Sequence, residues 1–177
     1  MKIEEGTLKG IWIISPRVIE DKRGYFMESY LKEVLEDKTG PITFVQENES
    51  MSRYGVTRGL HFQREPYAQS KFIRVVVGQI FDVAVDIREG SPTYGRVFSM
   101  YLSSENKKQL FIPKGFAHGF CVLSPKAIVQ YKTDVLYHPA SEGVFRYDSP
   151  TLNIPWPLPS HQMVLSGKDK NAPYFTK

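Results

Sequence analysis

Short runs of alternating apolar and polar residues recur along this chain, and that period-two pattern constrains its fold more than any other feature. In the clearest run Phe81, Val83, Val85 and Ile87 alternate with Asp82, Ala84, Asp86 and Arg88, as expected of a strand that buries one face. Similar runs, rich in β-branched and aromatic residues, occupy Ile11–Ile14, Ile42–Gln46, Phe72–Val77, Val97–Leu102, Leu110–Ile112, Ala127–Thr133 and Val144–Tyr147. Turn signals such as Arg88-Glu89-Gly90-Ser91-Pro92 and Ser141-Glu142-Gly143 separate them. Many short strands of this kind predict an all-β barrel or sandwich. Only Leu31–Asp37 reads as a helix, with good helix formers and no breaker before Gly40.

Length and composition narrow the class of protein. At 177 residues, one domain spanning 1–177 is expected. An aromatic content of 13% is too rich for a disordered chain. Cys121 is alone, so no intrachain disulfide is available, and a lone thiol suits a reducing cytoplasm. Its simplest role is that of a small buried apolar residue. The first residues carry Glu4, Glu5, Lys9 and Pro16 and hold no uninterrupted apolar segment of a signal peptide. Arg74, Asp82 and Asp86 interrupt the longest apolar stretch, around Phe72–Ile87, so no membrane helix is expected. The net charge is +4 with the basic residues dispersed, which points away from a nucleic-acid partner and is compatible with a small phosphorylated ligand.

Pro113-Lys114-Gly115-Phe116-Ala117-His118 is a PxGxxH run following the apolar Leu110–Ile112. It resembles the second signature of the cupin superfamily, whose fold is a double-stranded β-helix or jelly roll. In metal-binding members that His is a ligand and an HxH pair supplies two more. Here Gly59-Leu60-His61-Phe62-Gln63 offers His61 alone, with Gln63 where the second His would stand. Two His without a third ligand make a poor transition-metal site, so no metal is expected. Read alone, His118 is equally a hydrogen-bonded core histidine.

Further blocks occur in order: Asp21-Lys22-Arg23-Gly24-Tyr25-Phe26, Gln46-Glu47-Asn48, Arg58-Gly59-Leu60-His61-Phe62-Gln63, Lys71, Gly78–Arg88, the PxGxxHGF segment, Val129-Gln130-Tyr131-Lys132, Asp148-Ser149-Pro150 and Leu165–Asp169. Together, from about Asp21 to Asp169, they resemble the dTDP-4-dehydrorhamnose 3,5-epimerase family. The resemblance implies a homodimeric cupin-like jelly-roll barrel with short peripheral helices. It also implies inversion of C3 and C5 of dTDP-4-dehydro-6-deoxy-D-glucose, with no cofactor.

That chemistry assigns roles. Inverting a carbon beside a ketone requires a base, a charge for the enolate oxygen and an acid on the opposite face. A neutral imidazole, of reference pKa about 6.5, suits the base, so His61 is the candidate. The resemblance makes Asp169 its carboxylate partner, Lys71 the cation at the C4 oxygen and Tyr131 the acid. It gives His118 a place in the substrate pocket, and implies that Arg23, Phe26, Glu28, Gln46, Asn48, Arg58, Tyr137, Glu142 and Lys168 hold the nucleotide sugar. Phe26 and Tyr137 serve equally well as core aromatics. Three alternatives stay open: an enzyme inverting a single carbon, a non-catalytic nucleotide-sugar binding module, and a metal cupin.

Overall fold

The structure is a computed structural model that describes all of residues 1–177. Two antiparallel sheets face each other. The first runs β1 (Lys2–Glu5), β2 (Trp12–Ser15), β10 (Gln109–Ile112), β7 (Lys71–Val77), β12 (Lys126–Thr133) and β5 (Gln46–Arg53). The second runs β13 (Glu142–Val144), β6 (Thr57–Gln63), β11 (Phe116–Val122), β8 (Gln79–Asp86) and β9 (Val97–Ser103). A separate hairpin joins β3 (Val18–Asp21) to β4 (Gly24–Met27). The helices are α1 (Lys32–Thr39) and the single turn α2 (Gly167–Lys170). This is the expected all-β jelly roll with short peripheral helices.

Period-two alternation decides which side chains fill the space between the sheets. Ile73, Val75, Leu110, Ile112, Ala127 and Val129 from the first sheet meet Ile80, Ala84, Phe98, Phe116, Phe120 and Val122 from the second. The same alternation turns Phe81, Val83 and Val85 to the outer face of β8, where Leu152 and Phe175 of the C-terminal segment cover them. β8 and β11 are thus covered on both faces, and every residue of β11 is buried. Cys121 sits inside it as a buried free thiol, and burial pushes its pKa up.

The structure departs from two expected strands. Ile42–Val45 is irregular, and its apolar side chains Ile42 and Phe44 instead pack against Leu35, Tyr30 and Phe72 under α1. The neighbouring strand is β5, whose sequence QENESMSR carries no β-branched residue and is held in place by its pairing with β12. Only Val144 of Val144–Tyr147 lies in a strand, although Phe145 still exchanges two backbone hydrogen bonds with Leu60. The helix runs two residues further than expected, to Thr39, where Gly40 ends it.

One irregularity in β6 shapes the interior. Phe120 pairs with Arg58 and His118 with His61, so three residues on β11 span four on β6. This bulge resets the alternation, and both Arg58 and His61 share the interior side with His118 and Phe120. Gly59 permits it: its φ is +102°, and a Cβ there would lie 2.5 Å from the His118 carbonyl oxygen and 2.7 Å from Gly119 Cα. Any side chain at Gly59 would force the two strands apart.

Candidate active site

At one end of the barrel the interior changes from aliphatic to polar. Continuing inward from Ile73 on β7 is Lys71, and from Val129 on β12 come Tyr131 and Thr133. Asn48 and Gln46 on β5 stand opposite Tyr131 and Thr133. From the second sheet come His61 and, two residues on, Gln63. All of these polar side chains but Thr133 line a cavity of about 310 Å³ together with Phe62, Gln69, Tyr137 and Glu142, while Ile73 and Val129 lie deeper in the core.

His61 is tied to Asp169 by a 2.5 Å contact from Nε2 to Oδ1. The C-terminal segment reaches β6 through a parallel bridge between Val164 and Val56. Ser166 then caps α2 by accepting the Asp169 amide, which leaves the Asp169 side chain 3% exposed behind a His61 side chain 33% exposed. Burial opposes ionisation of Asp169, but the hydrogen bond and charge of His61 outweigh it and hold the carboxyl below its ordinary range. With Nε2–H donated to a carboxylate, the neutral ring keeps Nδ1 as its free acceptor.

Tyr131 and Lys71 approach from the other sheet. Burial raises the Tyr131 phenol, the nearby Arg58 charge lowers it and the Glu142 charge raises it, with a net upward shift. The phenol is therefore a protonated donor at neutral pH. Lys71 is pulled down to about 8 by desolvation, against the opposing charges of Asp82 and Glu142. A base from one wall, with an acid and a compact cation from the facing wall, suits the removal of a carbon-bound proton and its return from the other side.

The rim is a linked set. Tyr137 donates its hydroxyl to Glu142 at 2.8 Å and its amide to Gln46 at 2.9 Å, and Gln46 donates to Asn48 at 2.9 Å. Lys168 forms an ion pair with Glu142. Burial resists ionisation of Glu142, but the bonds from Lys168 and Tyr137 hold its carboxyl low. Arg58, beside the bulge, donates from Nε to Ser52 at 3.1 Å and does not line the cavity wall.

Besides Arg58, Lys168 at the rim and Asp169 behind His61, four more expected site residues are not on this cavity wall. His118 is buried and absent from the cavity wall, because its ring turns to Asp82 at 2.9 Å. Arg23, Phe26 and Glu28 are exposed on or just after the β3–β4 hairpin, away from the cavity of this chain. Arg23 there spends its guanidinium on Asp21, and Phe26 is 67% exposed.

Sequence reading missed Gln63 and Gln69 as wall residues. Gln63 donates to the carbonyls of Tyr67 and Leu136 and accepts from the His138 amide, while Gln69 donates to the Val135 carbonyl. Both amides pin the loops bordering the cavity, and Tyr67 stacks on His138 at 3.8 Å between ring centroids. The only available signal was parity, since Gln63 shares a strand face with His61. Among all residues, no group of three or more His, Cys, Asp or Glu is placed to hold a metal ion.

Comparison with known proteins matches residues 5–177 to the family model described as dTDP-4-dehydrorhamnose 3,5-epimerase. The chain is 48% identical over 176 residues to the dTDP-4-dehydrorhamnose 3,5-epimerase of Shigella flexneri, covering 99% of this chain and 96% of that protein. The crystal structure of the enzyme of that name from Elizabethkingia anophelis superposes with a TM-score of 0.95 at 48% identity, over 99% of this chain and 96% of that one. The dTDP-6-deoxy-D-glucose-3,5-epimerase of Legionella pneumophila, solved with dTDP-4-keto-L-rhamnose, gives 0.93 at 46% identity, over 98% and 92%.

Proposed function

The chain belongs to the dTDP-4-dehydrorhamnose 3,5-epimerase family, and from that premise we propose that it inverts C3 and C5 of dTDP-4-dehydro-6-deoxy-D-glucose through His61, Tyr131, Lys71 and Asp169. The observation that carries the residue assignment is the placement of a His–Asp pair and a protonated phenol on opposite sheets of one cavity. His61 Nδ1 takes the proton from C3 or C5, and Asp169 stabilises the imidazolium that forms. The electrons move toward the C4 oxygen, where the Lys71 ammonium meets the developing negative charge. Tyr131 then gives its proton to the same carbon from the other face, and exchange with solvent restores both side chains. A general base of this kind contributes roughly 10²–10⁴ in rate.

Gln46, Asn48, Tyr137 and Glu142 line the same cavity and suit the sugar and its nucleotide. Arg58 and Lys168 supply cations near it for the diphosphate. We read the 177 residues as one epimerase domain acting as a homodimer in the cytoplasm; no helix is long and apolar enough to cross a membrane. The exposed hairpin supports the homodimer. It carries Ile19, Tyr25 and Phe26 with more than half their surface free, and a second copy gives Arg23, Phe26 and Glu28 a cavity to serve that their own does not provide.

Proton NMR of dTDP-4-dehydro-6-deoxy-D-glucose incubated with the purified protein tests this function. Inversion at both carbons is the expected result. Inversion at one carbon would move the chain to the single-epimerase branch, and binding without inversion would make it a binding module.

A further inference from the structure

Behind the cavity lies a second histidine–carboxylate pair that the steps above leave idle. Asp82 sits in the middle of β8 with no exposed surface. Its Oδ2 accepts from His118 Nε2 at 2.9 Å, whereas its Oδ1 is buried without any hydrogen-bond partner. A carboxylate enclosed in this way is strongly disfavoured as an anion unless a positive charge lies close by. The nearby cation is Lys71, which takes part in none of the chain's ion pairs.

Lys71 is faced by titratable groups from five strands. β8 presents Asp82, β13 presents Glu142, β11 presents His118, β6 presents His61 and β12 presents Tyr131. The positions paired with Lys71 on β10 and β12 are Ile112 and Thr133, neither charged. Glu142 is already bound to Lys168 and Tyr137. His118 is held toward its neutral form, first by burial and further by the charges of Lys71 and His61, against the pull of Asp82. Glu142 thus has Lys168 as its own counter-charge, whereas Asp82, enclosed and with its Oδ1 unbonded, is in no ion pair with a Lys or Arg.

We propose that Asp82 is a positioning residue for the epimerisation: its Oδ2 fixes His118 as the neutral Nε2–H tautomer, and its unpaired Oδ1 is the fixed counter-charge that keeps Lys71 an ammonium at the substrate's ketone oxygen. This rests on the epimerase reading. It divides labour between the two pairs, the one at His61 moving protons and the one at His118 holding charge. In this arrangement the cation remains unbound by contact, free to meet an enolate oxygen, without losing its proton in an enclosed site.

Asp82→Asn separates charge from shape, because the amide oxygen can still accept from His118. The expected result is a fall of the alkaline limb of kcat/KM from near pH 8, the Lys71 value in the free enzyme, by about one pH unit or more. At pH 7.5 a one-unit fall leaves about a third as much protonated Lys71, so kcat/KM should drop about threefold or more. NMR of ¹³Cε-labelled lysine, assigned with Lys71→Ala, reads the Lys71 titration without substrate and should move down equally in Asp82→Asn. An unmoved titration and an unmoved limb in a folded variant would overturn the role, whereas a wild-type protein that inverts neither carbon would overturn the epimerase reading alone. Should Asp82→Asn not fold, ¹⁵N-histidine spectra of the wild type decide instead. A neutral, Nε2-protonated His118 from pH 6 to 9 supports the proposal, and a protonated or Nδ1–H ring contradicts it.

Discussion

His61–Asp169 and His118–Asp82 are built from the same two residue types on neighbouring strands, yet they belong to different environments. Their histidines face each other across the β6–β11 ladder. The His61 side chain keeps 33% of its surface exposed at the cavity, whereas that of His118 keeps 9% and its Asp82 partner none. A half-open imidazole can exchange a proton with a bound molecule and then with water. An enclosed one is desolvated in its charged form and stays neutral. In the proposed mechanism burial, more than the identity of the pair, decides which one moves protons and which one holds charge.

That contrast can be broken from either side, and the largest effect is expected at the open pair. His61→Ala should lower kcat about 10³-fold or more, with Asp169→Asn close behind through loss of the correct tautomer. Both should leave the melting temperature and dTDP binding nearly unchanged, as read by calorimetry and equilibrium titration. The enclosed pair should answer in the opposite sense. His118→Ala leaves Asp82 buried without its donor and should cost about 3 kcal/mol of stability, seen as a fall of roughly 6–12 °C in melting temperature. Its kcat at 25 °C should suffer far less than that of His61→Ala. An equal loss of activity in the two variants, with equal stability, would erase the distinction. The rim offers the smallest effect. Tyr137→Phe removes one solvent-facing bond to Glu142 and should raise KM two- to fivefold, on the order of 0.5–1 kcal/mol, with kcat held.

The difference between the pairs also marks the limit of what could be read from the sequence. β7, β9 and β12, with one face in the core, and β8, whose apolar and polar residues alternate although both its faces are covered, announced themselves as strands, and the ordered motifs pointed to His61, Lys71, Tyr131 and Asp169. β11 gave no such alternation because FAHGFCV is buried on both faces. β5 was unreadable because pairing, not propensity, makes it a strand. Asp82 looked like the outward member of an alternating run. Its parity in fact places it between the sheets with Ile80 and Ala84, and no local rule distinguishes a solvated aspartate from an enclosed one. His118 was expected at the substrate, and only coordinates reveal that its ring turns to Asp82. The hairpin residues Arg23, Phe26 and Glu28 pose a similar limit: their motif is legible, but nothing local in it says that the hairpin stands exposed and off the cavity wall of its own chain.

The central claim is that the open pair and the facing phenol move protons on opposite faces of the same carbon. Its most direct measurement is proton NMR in deuterium oxide of dTDP-4-dehydro-6-deoxy-D-glucose with wild type, His61→Ala and Tyr131→Phe. The account predicts deuterium entry with inversion at C3 and C5 in the wild type, neither in His61→Ala, and in Tyr131→Phe exchange that continues while inversion falls sharply. Exchange lost in Tyr131→Phe but retained in His61→Ala would contradict it and reverse the roles of the two walls.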